Sequence, residues 1–159
     1  MENHAQKSDL KYNIAKEILQ DHESIRQTIK RLLDLFNYNT SPPELHSHIQ
    51  SLKNLISFLS YRLHHHFFLE ENSAFLEETT KNDSHLNTSF NDVFKEHKQL
   101  LKNIDEINHF FNNPHIELNE LDYIQNKFNT FVIQLEKHEN KENELITEMI
   151  STDDTDHLW

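Results

Sequence analysis

The 159-residue chain has no cysteine and no glycine, and only three prolines and one tryptophan. Without cysteine there is no disulfide, no thiolate metal site and no thiol nucleophile, a pattern that fits a reducing compartment. Without glycine no glycine-rich phosphate loop can form. Asn-Gly and Asp-Gly turns are absent too, and so are alternating β-branched runs, which removes the usual signals of strands and hairpins. No stretch approaches the ~20 apolar residues of a membrane span, and the N-terminus, Met1 to Ser8, is polar. The expectation from these absences is a cytoplasmic protein that does not use a membrane. Basic side chains are also few, 15 against 27 acidic, for a net charge of −12. That balance argues against binding nucleic acid or an anionic membrane through charge.

What remains is helical. Apolar residues step by three and four throughout, the period of a helix with one buried face. After a loose tail at residues 1–8, a first helix is expected from about Asp9 to Phe36, with Ser8 as N-cap. Its inward stripe is Ile18, His22, Ile25, Ile29, Leu32 and Phe36. Asn37 to Thr40 turn the chain. Ser41, Pro42 and Glu44 give a second start signal, with a cap, a proline at the first helical position and an acid three residues after the cap. This helix is expected to reach about Glu77, before a polar loop from Glu78 to Ser84.

A third helix is expected from about His85 to Phe111, with the stripe Phe90, Val93, His97, Leu100, Ile104, Ile107 and Phe111. After Asn112-Asn113-Pro114 a fourth runs from roughly Ile116 to Ile150, and an acidic tail follows at residues 151–159. Four long helices on short loops imply one domain, residues 9–150, folded as an all-α, antiparallel up-and-down four-helix bundle.

The chain is organised around Leu63-His64-His65-His66-Phe67-Phe68-Leu69-Glu70-Glu71-Asn72. The upstream stripe Ile49, Leu52, Ile56, Leu59 and Leu63 runs on into His66 and Glu70, which lie one turn apart on the same helix face. The pattern recurs: Leu121, Ile124, Phe128, Phe131 and Leu135 run on into His138 and Glu142. Each half of the chain is therefore a helical hairpin with a lone histidine on its first helix, His22 or His97, and His-x-x-x-Glu on its second. His22 and His97 each lie 14 residues before the phenylalanine at the end of their helix, about 21 Å below the turn.

A buried, unpaired imidazole or carboxylate costs several kcal/mol, so the six groups His22, His66, Glu70, His97, His138 and Glu142 need a common partner. Imidazole suits iron, zinc, copper and nickel, and carboxylates can bridge two ions. One ion with all six ligands would have no open position. Two ions sharing the two carboxylates, with two histidines each, use all six and leave room for an exogenous ligand, and two iron ions are the natural occupants in a four-helix bundle. His64 and His65 are expected to point sideways or outwards. Glu71, Glu139 and Glu144 are expected to be solvated, with Glu71 or Glu139 available to accept a hydrogen bond from a ligand histidine. Phe67, Phe68, Phe90, Phe94, Phe128 and Phe131 are expected in the core. The run His138-Glu139-Asn140-Lys141-Glu142 is not the His-Glu-x-x-His of zinc proteases, and the His-x-x-x-Glu order reverses the Glu-x-x-His of ferritin-like sites.

These residues resemble the pattern of the hemerythrin-like (HHE) domain over roughly residues 12–150. The resemblance implies a non-haem di-iron centre with an oxo or hydroxo bridge derived from solvent. Such a centre binds O2, NO or another small diatomic ligand, or responds to iron. Oxygen-carrying hemerythrins have a further histidine four residues before the one on the third helix, where this chain has Val93. The departure moves the resemblance from oxygen carriers toward members that handle iron or NO. The iron–sulfur repair members carry an N-terminal cysteine segment that this chain lacks. Their additional histidine has no counterpart here, because His46 and His48 lie 20 and 18 residues ahead of His66, about 27 to 30 Å along a helix.

Three functional classes follow: a binding or sensing protein, a di-iron oxidase, peroxidase or NO-handling enzyme, and a metal-free structural bundle. The sequence favours the first.

Overall fold

A computed structural model describes residues 3–38, 42–72 and 83–156, and the side chains within 12–38, 43–72 and 83–151. Among the described residues the chain is all-helical, with no strand. Helix α1 spans Asn3–Phe36 and α2 spans Leu45–Asn72, preceded by a short 3-10 turn at Pro42–Glu44. Then come α3, Ser84–Phe94, α4, Glu96–Phe110, and α5, Leu118–Asp156. Helices α1, α2, α4 and α5 pack in a closed ring, each against two others, and α3 lies on α4 and α5.

The inward stripes bury as their period requires. Leu32, Leu52, Ile56, Leu59, Leu63, Ile104 and Phe128 have no exposed surface. They belong to a core that also takes in Phe67, Leu100 and Leu135. A smaller apolar cluster gathers Ala15, Ile18, Leu86, Phe90, Ile146 and Met149. On α1 the chain passes from Ile18 in the small cluster through His22 to Ile25 in the large one. On α5 it passes from Leu135 through His138 and Glu142 to Ile146. The histidines thus occupy the layer between two apolar plugs.

Several boundaries differ from the sequence expectation. Helix α1 begins at Asn3, so Ser8 lies within it and is not its cap. Pro42–Glu44 form a 3-10 turn and not the first turn of α2. Ser41, the expected end at Glu77 and the loop residues 78–82 lie outside the described residues. Asp83 caps α3, accepting a hydrogen bond from the Leu86 amide at 3.1 Å. The single helix expected over 85–111 is two, α3 and α4, which meet at Lys95 with no proline or glycine at the junction. Lys95 keeps α-helical dihedrals, φ −61° and ψ −25°. Helix α5 starts two residues after Ile116 and continues through six residues of the expected tail to Asp156, since nothing in Ser151–Asp156 breaks a helix. Residues 157–159 lie outside the described residues. Phe68 is 62% exposed and not in the core: Phe67 takes the inward position, and the next residue is rotated by about 100°.

Among the described residues no helix is long and apolar enough to cross a membrane.

Candidate metal centre

The structure brings all six residues together in one buried layer. His22, His97, His138 and Glu142 are each 1% exposed, and His66 and Glu70 are 2% exposed. Their potential ligand atoms form two groups of close neighbours: His22, His66, Glu70 and Glu142 in one, His97, His138 and Glu142 in the other. Glu142 belongs to both. Its Oε1 lies 3.9 Å from His97 Nε2 and adjacent to His138 Nε2. Glu70 Oε1 stands 2.6 Å from His66 Nε2 and 4.0 Å from His97 Nε2, so both carboxylates lie between the two histidine pairs. The pairs are arranged alike: the His22 and His66 rings meet at 4.8 Å and 69°, and those of His97 and His138 at 4.8 Å and 65°. The duplicated hairpins of the sequence thus reappear as two matching halves of the site.

Each imidazole is held from behind. Nδ1 of His22 faces Asn143 Oδ1 at 2.9 Å, and Nδ1 of His66 faces Asp21 Oδ2 at 3.3 Å. Nδ1 of His97 faces Glu71 Oε1 at 3.0 Å, and Nδ1 of His138 faces Glu96 Oε1 at 3.3 Å. Every partner is an oxygen, so each Nδ1 carries the proton and donates, and the Nε2 lone pair is left pointing into the site. All four Nε2 atoms are buried without a hydrogen-bond partner. The supports run around the bundle: α1 supports the histidine of α2, α2 that of α4, α4 that of α5, and α5 that of α1. Each supporting residue is also the chain neighbour of another member of the site. Asp21 and Glu96 precede His22 and His97, while Glu71 and Asn143 follow Glu70 and Glu142.

Aromatic rings close the layer. His97 stacks on Phe67 at 3.9 Å and on Phe94 at 4.9 Å, and Phe67 meets the edge of His138 at 5.5 Å. Val93 is buried, one residue before Phe94 on α3. The break at Lys95 separates Val93 from His97, so the two do not share one regular helical turn.

The electrostatics favour neutral imidazoles at His22, His97 and His138. Burial, reinforced by the charge of His66, holds His22 at a pKa of about 4. Burial and the charge of His138 hold His97 at about 2. Burial holds His138 at about 4 against the pull of Glu96. Burial pushes His66 down as well, but Glu70 and Asp21 outweigh it and the net shift is upward. Burial also raises Glu70, against the pull of His66. These groups fit a metal: four imidazole nitrogens and two carboxylates, buried and close to one another, form the donor set that borderline divalent metals take.

His64 and His65 are exposed, as expected; His64 Nε2 meets Asp105 Oδ2 at 2.9 Å and His65 stacks on Tyr61. Glu144 is exposed, but Glu139 is 3% exposed and not solvated. Burial raises its pKa to about 7 against Arg26, whose Nε lies 3.4 Å from Glu139 Oε2. The pattern missed this because the position after His138 turns toward α1, where Arg26 stands. It also missed Asp21, Glu96 and Asn143 as supports, since each serves a histidine on another helix.

Glu71→Ala removes the acceptor that orients His97. It is expected to weaken metal binding by ~10–100-fold, the usual effect of losing such a support, with the fold unchanged because Glu71 is half-exposed. A titration against a chromogenic chelator measures this, and an unchanged affinity would show that His97 needs no orienting partner.

Comparison with protein-family models, curated proteins and solved structures finds no match for this chain.

Proposed function

We propose that the protein is a non-haem di-iron binding protein, similar to the hemerythrin-like domains, that takes up O2, NO or iron itself. His22, His66, Glu70, His97, His138 and Glu142 would hold two iron ions. The observation that carries this reading is the sharing of Glu142 by two groups that each contain two histidines, the arrangement expected for two ions bridged by carboxylate. When bound, two irons supply reversible electron transfer and a position for a small ligand. The chain's own residues do the rest. The four Nδ1 supports fix the imidazoles, and Phe67 and Phe94 cover His97 and exclude water.

The up-and-down topology belongs to the same proposal. Its support is that contacts between neighbouring helices pair rising with falling numbers: Ser57 with Asn108, His64 with Asp105 and Glu71 with His97 between α2 and α4. A cytoplasmic setting fits the absence of cysteine.

Binding ranks above turnover because, among the described residues, the buried histidines and the carboxylates Glu70 and Glu142 group as candidate metal ligands. Mixing the reduced, iron-loaded protein with NO or with peroxide tests this. The expected result is a single stoichiometric spectral change that stops when the sites are filled. Continued consumption over many equivalents would make it an enzyme. The absence of any near-ultraviolet band after aerobic iron loading would make it a structural bundle.

A further inference from the structure

Helix α2 carries a second stripe, on the face opposite to its buried one. Asn54, Phe58, Tyr61, His65, Phe68 and Asn72 step by four, three, four, three and four, and all six are exposed. That alternation is the seam of a coiled coil. Phe58 is 47% exposed, Tyr61 68% and Phe68 62%, so three large aromatic residues crowd one outward line where a monomer usually keeps polar residues. Tyr61 and His65 stack in parallel at 6.4 Å, which presents them as one flat surface.

The stripe is palindromic at its outer four positions, with Tyr61 and His65 as the unlike central pair. Asn54 and Asn72 lie equally far from Leu63 along the chain, as do Phe58 and Phe68, and Tyr61 and His65. A two-fold axis at the level of Leu63 would therefore set Asn against Asn, Phe against Phe, and Tyr against His. From these observations we infer that the protein self-associates through α2, with two copies packed antiparallel along this seam. A two-fold interface must be complementary to itself, and no other partner requires this symmetric spacing about Leu63.

The flanking charges allow it. Arg62, near the axis, is bound within its own chain by Ser24 at 2.8 Å and Asp21 at 3.8 Å. Glu71 is bound by His97. Leu55 and Leu69 are also nearly equidistant from the axis and would add apolar contact on one flank. The area limits the strength. The seam is about 27 Å long, and at a helix width of ~10–12 Å it covers roughly 300 Å² per partner, against ~800 Å² in a standard interface. The association is therefore weak and concentration-dependent. With −12 on each chain, salt strengthens it by screening the repulsion between copies.

Because the chain contains no cysteine, the register can be read by crosslinking. Asn54→Cys and Asn72→Cys proteins are prepared separately and oxidised mildly, alone and mixed. The expected result is a disulfide between unlike variants in the mixture and none between like variants. A disulfide between like variants, or no disulfide at all, overturns the proposal. Sedimentation equilibrium of the parent should show dimer increasing with concentration and with salt. Phe68→Glu, at an exposed position, should weaken it by at least about tenfold, since the Phe–Phe contact occurs twice per dimer. A parent that stays monomeric at every concentration, or a Phe68→Glu variant that associates like the parent, overturns it as well.

Discussion

Replacing Glu142 by alanine is expected to empty the site of metal almost completely. Glu142 is the one residue common to both groups of candidate ligands, and both of its oxygens are buried without a hydrogen-bond partner. Its loss therefore removes a ligand from each ion position, and the effect should exceed the ~10–100-fold cost of losing an outer support. Glu70→Ala should retain more metal, because Glu70 belongs to the group of His22, His66 and Glu142 but not to that of His97 and His138. His64→Ala and His65→Ala should bind like the parent, since both side chains are exposed on α2. Elemental analysis of the four variants after identical iron loading measures the series. Equal losses in all four would mean that the inward stripe does not define the site.

Metal removal should lower the thermal stability of the parent steeply. Without an ion, the four Nε2 atoms and both oxygens of Glu142 are buried with no hydrogen-bond partner, and each such atom costs ~1–3 kcal/mol. A metal present at ~1,000 times its dissociation constant adds about 4 kcal/mol by linkage. At ~2–4 °C per kcal/mol for a chain of this size, chelation should lower Tm by roughly 8–16 °C. Differential scanning calorimetry with and without chelator tests it. The Glu142→Ala protein provides the control, because its Tm should not respond to the chelator. A parent whose Tm is insensitive to chelation would show that the layer is satisfied without metal.

The inward groups were legible because a helical period is a local property. Six apolar stripe positions filled by histidine or glutamate stand out against Leu, Ile and Phe neighbours, and the structure brings those six together. The supporting ring was less legible. Glu71 was available as an acceptor from its position, but Asp21, Glu96 and Asn143 act on helices other than their own, and a single stripe carries no information about the facing helix. The same limit hid the burial of Glu139, which depends on Arg26 of α1. The break between α3 and α4 had no local signal, since Lys95 is a good helix former with no proline or glycine beside it. Phe68 was misplaced for a different reason: apolar character alone does not choose a face, and the stripe phase set by Leu63 and His66 already assigned the inward position to Phe67.

A site for two irons is tested by the metal content of protein loaded with iron in excess and freed of loosely bound metal. Elemental analysis together with quantitative amino-acid analysis gives metal per chain. About two irons per chain are expected, since six buried N and O ligands sharing a carboxylate suit a bridged pair. One zinc per chain, or no metal at all after iron-replete loading, would contradict it.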